Sequence, residues 1–164
     1  MKVAKRVEAR ERHGAPAFAA LGLFIVVVVG CGFAIGYFNI PDGWYAGLSK
    51  TSFNPPNWVF APVWSVVYVL IAIAGWRTWD NNPRSAASAL WLLQMLLNYA
   101  WSPVFFTAHW IRGALAVIVA LLVSVLAFIF ASWRTDRVRA LVFIPYAAWV
   151  VFASALNLGI VLLN

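Results

Sequence analysis

Three sets of side chains stand at helical spacing and could together hold a flat, mostly apolar molecule. Trp64 and Tyr68 are four residues apart, Gln94, Asn98, Trp101 and Phe105 follow a 4-3-4 spacing, and Tyr146, Trp149, Ala153 and Asn157 follow 3-4-4. Each set falls on one face of a helix. The rings supply apolar walls, the amides supply directed hydrogen bonds, and the small Ala153 leaves space beside Trp149. That is the composition of a pocket for a planar hydrophobic ligand. Ordinary aromatic packing, with Asn98 and Asn157 joining helices, uses the same residues, and composition does not choose between the two.

Other chemistries lack their parts. No carboxylate, lysine or arginine falls within the apolar segments that carry these faces, whereas proton relays, ion pathways and voltage sensors depend on such groups. His13, His109 and Cys31 stand at unrelated depths without ligand spacing, so no metal site is expected. Neither a Ser-His-acid nor a Cys-His set can be assembled among them. Cys31, the single cysteine, reads as a small apolar side chain in a helix and leaves the redox compartment open.

The elements that must position these faces are membrane helices. Residues 15–38, 58–76, 86–108, 113–133 and 140–163 contain no Asp, Glu, Lys or Arg. About 20 apolar residues at about 1.5 Å rise cross a bilayer core of about 30 Å. The runs do not alternate as barrel strands do, so the expected fold is an all-α, five-transmembrane-helix bundle. Hydrophobic residues make up 64% of the chain and charged residues 10%, well below a soluble domain. Residues 1–14 read as a basic N-terminal tail and 15–164 as one membrane domain. The run from Ala15 to Phe38 is too long for a signal-peptide core and ends without a clear cleavage site.

The net charge of +7 follows topology and not nucleic acid. Lys2, Lys5, Arg6, Arg10, Arg12, Arg77, Arg84, Arg134, Arg137 and Arg139 fall on the N-terminal side of the bundle; Lys50 and Arg112 fall on the other. This asymmetry predicts a cytoplasmic N-terminus and an external C-terminus; the expected location is a bacterial cytoplasmic membrane. Residues 2–12 suit either a lipid-binding polybasic arm or a solvated tail.

Residues 39–57 form the one long loop. Its Pro and Gly residues bar a membrane helix, and Trp44, Tyr45, Leu48 and Phe53 favour a lid over the bundle mouth, with an interfacial aromatic belt as the alternative. Pro62, Pro103 and Pro145 interrupt helices two, three and five; Pro103 and Pro145 are expected to kink or open them. Helix four, with Ser124 as its one polar residue between Gly113 and Ala131, reads as a lipid-facing buttress. Gly32 and Gly36 suit close helix approach, either in a homodimer or within one bundle.

The motif order resembles the TspO/MBR family of tryptophan-rich sensory proteins, which includes the translocator protein or peripheral benzodiazepine receptor of animals. The resemblance rests on Trp44-Tyr45-x-x-Leu48-x-Lys50, Phe53-Asn54-Pro55-Pro56 and Trp58-Val59-Phe60-x-Pro62-x-Trp64-x-x-x-Tyr68. It continues through Gln94-x-x-x-Asn98-x-x-Trp101-x-Pro103-x-Phe105-Phe106 and Pro145-Tyr146-x-x-Trp149, with Ala153 and Leu156-Asn157 beyond. It spans about residues 20–160 and implies a five-helix bundle, often dimeric, whose cavity binds protoporphyrin IX, haem and synthetic isoquinoline or benzodiazepine ligands. No cofactor is required; the porphyrin is a ligand. By the same resemblance the pocket residues are Trp44, Tyr45, Pro55, Pro56, Trp64, Asn98, Trp101, Phe105, Tyr146, Trp149, Ala153 and Leu156. Trp64 and Trp149 match the two tryptophans linked in some bacterial members to light-dependent porphyrin breakdown. Thr51 and Phe53 replace the family's usual loop proline and tryptophan. The sterol motif of animal members is not matched after Leu156-Asn157, because Leu158-Gly159-Ile160-Val161 follow and no later base.

Three functional classes are thus in view. The leading one is a sensor or regulator that binds tetrapyrroles. The second is an enzyme that degrades porphyrin using Trp64 and Trp149, and the third a transporter. An odd number of helices and the absence of an inverted repeat weigh against usual alternating-access designs.

Overall fold

The computed structural model describes residues 2–164, with side chains from Ala17 onward. Six α-helices follow in order: α1 (Lys2–Phe38), α2 (Gly43–Gly47), α3 (Phe60–Asn81), α4 (Ala86–Ser102), α5 (Ile111–Trp133) and α6 (Arg137–Leu163). No strand occurs among the described residues. Five segments are long and apolar enough to span a membrane: Ala17–Phe38, Asn57–Asn81, Ala86–Thr107, Ile111–Trp133 and Arg137–Leu163. The expected five-span bundle is therefore present, with α2 as a short extra helix in the loop.

The helices run beyond the uncharged stretches. Arg77 and Asp80 lie in the last turns of α3, Arg112 in the first of α5, and Arg137 and Arg139 in the first of α6. Charge ends an apolar run without ending a helix, and side chains at a terminus reach the headgroup zone. Caps set the actual boundaries. Ser85 accepts from the Ser88 N–H at the start of α4, and Asp136 accepts from the Val138 and Arg139 N–H groups at the start of α6. The same Asp136 carboxylate binds Arg77 at 2.9 Å, which ties the end of α3 to the α5–α6 turn.

Lipid gives helices no hydrophobic reason to associate, so close fit and interhelical hydrogen bonds must hold the bundle. The α5 face Ala114, Ile118, Leu121, Val125 and Phe128 repeats every three or four residues and is buried between α4 and α6. Its opposite face, including Val119, Val123 and Phe130, is exposed, as a buttress against lipid requires. Phe128 and Phe143 close the middle of the core with ring centroids 4.2 Å apart. Trp91 lies against Gly75, where a Cβ would stand 2.5 Å from the indole, and its Nε1–H donates to the Ile71 carbonyl at 3.0 Å. Gly32 does the same for Tyr68: any Cβ there would collide with the phenol ring. This glycine thus serves packing within one bundle.

Pro103 alters the third span more than a kink would. It ends α4 at Ser102 and begins a π-helical turn, Pro103–Thr107, in which the Ala108 N–H reaches the Pro103 carbonyl at 2.9 Å. A proline that cannot donate to Tyr99 lets the backbone widen, and the wide turn swings Phe105 and Phe106 toward the loop. Pro145 stays inside α6 without ending it. Its ring faces outward, so the freed Leu141 carbonyl costs the core nothing.

Candidate functional site: a cavity beneath the first loop

The loop is tied down at both ends of its roof. Asp42 caps α2 by accepting from the Trp44 and Tyr45 N–H groups at 3.0 and 3.2 Å. Trp44 stacks on His109 with centroids 4.0 Å apart and 17° between planes, and His109 Nε2 lies 3.7 Å from the Asp42 carboxylate. His109 holds a left-handed φ of 53°, unusual for a non-glycine residue, which is what brings its ring beneath Trp44. Thr107 donates to the Asn39 side chain at the same edge. On the α6 side, the Asn164 amide grips Ser49 twice, accepting from its N–H at 3.0 Å and donating to its carbonyl at 3.1 Å. Thr51 places its methyl against Gly159, where a Cβ would collide with it.

Lys50 finishes the small helix from below. Its Nζ donates to the carbonyls of Tyr45, Leu48 and Ala46 at 2.6, 3.0 and 3.4 Å and sits 4.5 Å from the Tyr45 ring centre. Tyr45 is buried against the edges of Phe105 and Phe106. Burial pushes its phenol above the ordinary tyrosine range, with the Asn54 side chain pulling the other way.

Beneath this roof lies a cavity of about 650 Å³, within the range that takes a drug-sized molecule. Its walls come from the end of α1, the start of α3, the α4 end with its π-turn, and the end of α6. Of the residues expected from sequence, Tyr45, Trp64, Asn98, Trp101, Phe105, Ala153 and Leu156 line it. Trp44, Pro55, Pro56, Tyr146 and Trp149 are not among the lining residues. Trp44 is in the roof, outside Phe105, at a centroid distance of 5.8 Å. Trp149 stands behind Trp64 and Tyr146 behind Asn98. The α1 wall was missed: Phe33, Gly36 and Tyr37 also line the cavity, and Phe33 and Tyr37 are 51% and 73% exposed. Neither hydropathy nor aromatic spacing singles out a face on that helix. Tyr68 and Asn157, which share the aromatic faces, line it as well.

The inner wall is backed by a hydrogen-bond chain whose direction is fixed by one backbone carbonyl. Gln94 Nε2 donates to the Trp91 carbonyl at 3.0 Å, which turns its Oε1 toward Tyr146. Tyr146 must then donate to Gln94 at 2.9 Å and accept from Asn98 Nδ2 at 2.8 Å. Asn98 Oδ1 is left to accept from Tyr68 at 3.2 Å. The Tyr68 proton therefore points into the wall, and its oxygen meets the cavity as an acceptor. A second amide, Asn157, accepts from Trp101 Nε1 at 3.1 Å and donates to the Ile111 carbonyl at 3.1 Å, fixing the Trp101 plane. Trp101 in turn stacks on Phe105 at 5.1 Å.

Fold and cavity together define a five-span helical membrane protein with an internal site of small-molecule size. Its sequence matches the model of the TspO/MBR family over residues 24–163, and the chain belongs to that family. Protein CrtK of Rhodobacter capsulatus is 37% identical over 151 residues, covering 88% of this chain and 94% of that one. The tryptophan-rich protein TspO of Archaeoglobus fulgidus is 38% identical over 144 residues, 85% and 94% of the two chains. The human translocator protein is 32% identical over 149 residues, 87% and 88% of the two.

Proposed function

We propose that the protein is a membrane-embedded binding protein, of the sensor or translocator kind, for porphyrins, haem and similar flat hydrophobic ligands. The observation that carries this reading is the cavity itself: Trp64, Trp101 and Phe105 give it flat apolar walls, and Tyr68 and Asn98 give it one polar strip. The names of its relatives, sensory protein and translocator protein, support the same class. Binding then reports tetrapyrrole supply to a regulatory partner or stress response.

The charge asymmetry supports an orientation with the N-terminus in the cytoplasm and the loop outside. Titration of intrinsic tryptophan fluorescence with protoporphyrin IX, on protein in nanodiscs, tests the binding. Saturable quenching is expected; quenching no greater than that of a free indole would contradict it. Product analysis of the bound porphyrin after light and dark incubation separates a binder, which returns it intact, from an enzyme. Uptake into sealed proteoliposomes separates both from a transporter.

A further inference from the structure

We infer that the site selects uncharged ligand surface: a tetrapyrrole enters with its carboxylates left at the mouth, and a neutral ester is taken as readily as the acid. This rests on the reading of the cavity as a tetrapyrrole site and adds what chemistry that site accepts.

Among the described residues, no Asp, Glu, Lys, Arg or His lines the cavity. The cations at this end are committed or stand elsewhere. Lys50 carries three N–H donors and has three carbonyls within hydrogen-bond distance, so it has none to offer an entering anion. His109 is stacked on Trp44 and faces Asp42. Arg112 is exposed at the start of α5, a helix that contributes nothing to the cavity wall.

The neutral donors are partly committed. Asn39, Asn54, Asn98 and Asn157 all line the cavity, and each spends one of its two amide N–H groups on the protein: on the Ile35, Pro55 and Ile111 carbonyls and, for Asn98, on Tyr146. Asn57 and Ser102, which also line it, add further neutral donors. Tyr68 presents lone pairs and not a proton, because the Trp91 carbonyl sets the direction of the whole chain. A carboxylate brought to this depth would lose its water and find neutral donors but no paired cation, which is strongly unfavourable for a charge. A ligand N–H or a neutral face meets no such penalty.

The test uses the full chain in nanodiscs near neutral pH, titrated with protoporphyrin IX and separately with its dimethyl ester, each corrected for partition into empty nanodiscs. The ester is expected to bind as tightly as the acid to within about tenfold, or more tightly, since about tenfold is the least that one charge-assisted hydrogen bond contributes. An acid that binds more than about tenfold tighter overturns the inference and leaves the tetrapyrrole reading standing. If neither ligand binds, the tetrapyrrole reading itself fails and the inference falls with it.

Discussion

Trp64 and Trp149 stand edge to face, with ring centroids 6.4 Å apart and planes at 90°, and of the two only Trp64 lines the cavity. Trp149 is the ring behind the wall: Phe60 meets it at 5.7 Å and Phe152 at 5.5 Å, and its buried Nε1 has no hydrogen-bond partner among the described residues. Trp149→Phe should therefore leave porphyrin affinity unchanged, since it removes no polar contact and keeps a ring against Trp64. An affinity loss of about tenfold in that variant would show that Trp149 reaches the ligand directly.

The hydrogen-bond chain behind the cavity gives a stability prediction. Tyr146→Phe strands Gln94 Oε1 and Asn98 Nδ2 in a buried setting, which costs about 1–3 kcal/mol. Thermal unfolding in detergent should show a lowered midpoint relative to parent. Equal midpoints would mean that these two amides find other partners.

Two glycines on α1 should behave oppositely although both belong to one G-x-x-x-G pair. Gly32→Leu collides with Tyr68 and should destabilise the bundle, whereas Gly36, open to the cavity, should accept Leu in a folded protein that binds ligand poorly. Circular dichroism with ligand titration separates the two effects. If Gly32→Leu instead yields a folded monomer from a dimeric parent, the glycine pair serves association between copies.

Lid mobility depends on named contacts. Trp44→Ala removes the stack on His109 and Asn164→Ala releases both bonds to Ser49, so each should raise amide hydrogen exchange across residues 43–50. Unchanged protection in the double variant would show that Lys50 and Thr51 hold the loop without them.

Much of this was legible in the sequence because lipid is a demanding solvent. Apolar runs of about 20 residues have one stable form there, and amides must turn inward, which located both the spans and the Asn98 and Asn157 faces. The π-turn was not legible: Pro103 announces a lost donor, but a kink, a gap and a widened turn all follow from that. Spacing put Trp64 and Trp149 on inward faces without saying which ring stands in front, because a face is about 100° wide and the rotation of α6 against α3 decides. The clip from Asn164 to Ser49 joins residues 115 apart, a distance at which local pattern carries no signal. The α1 wall went unread because its lining residues Gly32, Phe33, Ile35, Gly36 and Tyr37 are nearly contiguous and mark no single helical face.

The orientation proposed from charge is open to a labelling test. Ser49, exposed in the loop, can carry a cysteine in a Cys31→Ala background. A membrane-impermeant maleimide should label it in intact cells; labelling only after permeabilisation would reverse the topology.

The central claim is that the cavity beneath the loop, walled by Trp64, holds a flat apolar ligand. The most direct measurement is the affinity of the Trp64→Ala protein for protoporphyrin IX, beside parent and Ala153→Thr, all shown to be folded by circular dichroism. Loss of the Trp64 ring should weaken binding by about 1 kcal/mol or more, the scale of an aromatic contact beyond area burial, and the bulk added at Ala153 should weaken it by about 1–3 kcal/mol. Parent-like affinity in both folded variants would contradict the assignment and leave these aromatic faces as packing alone.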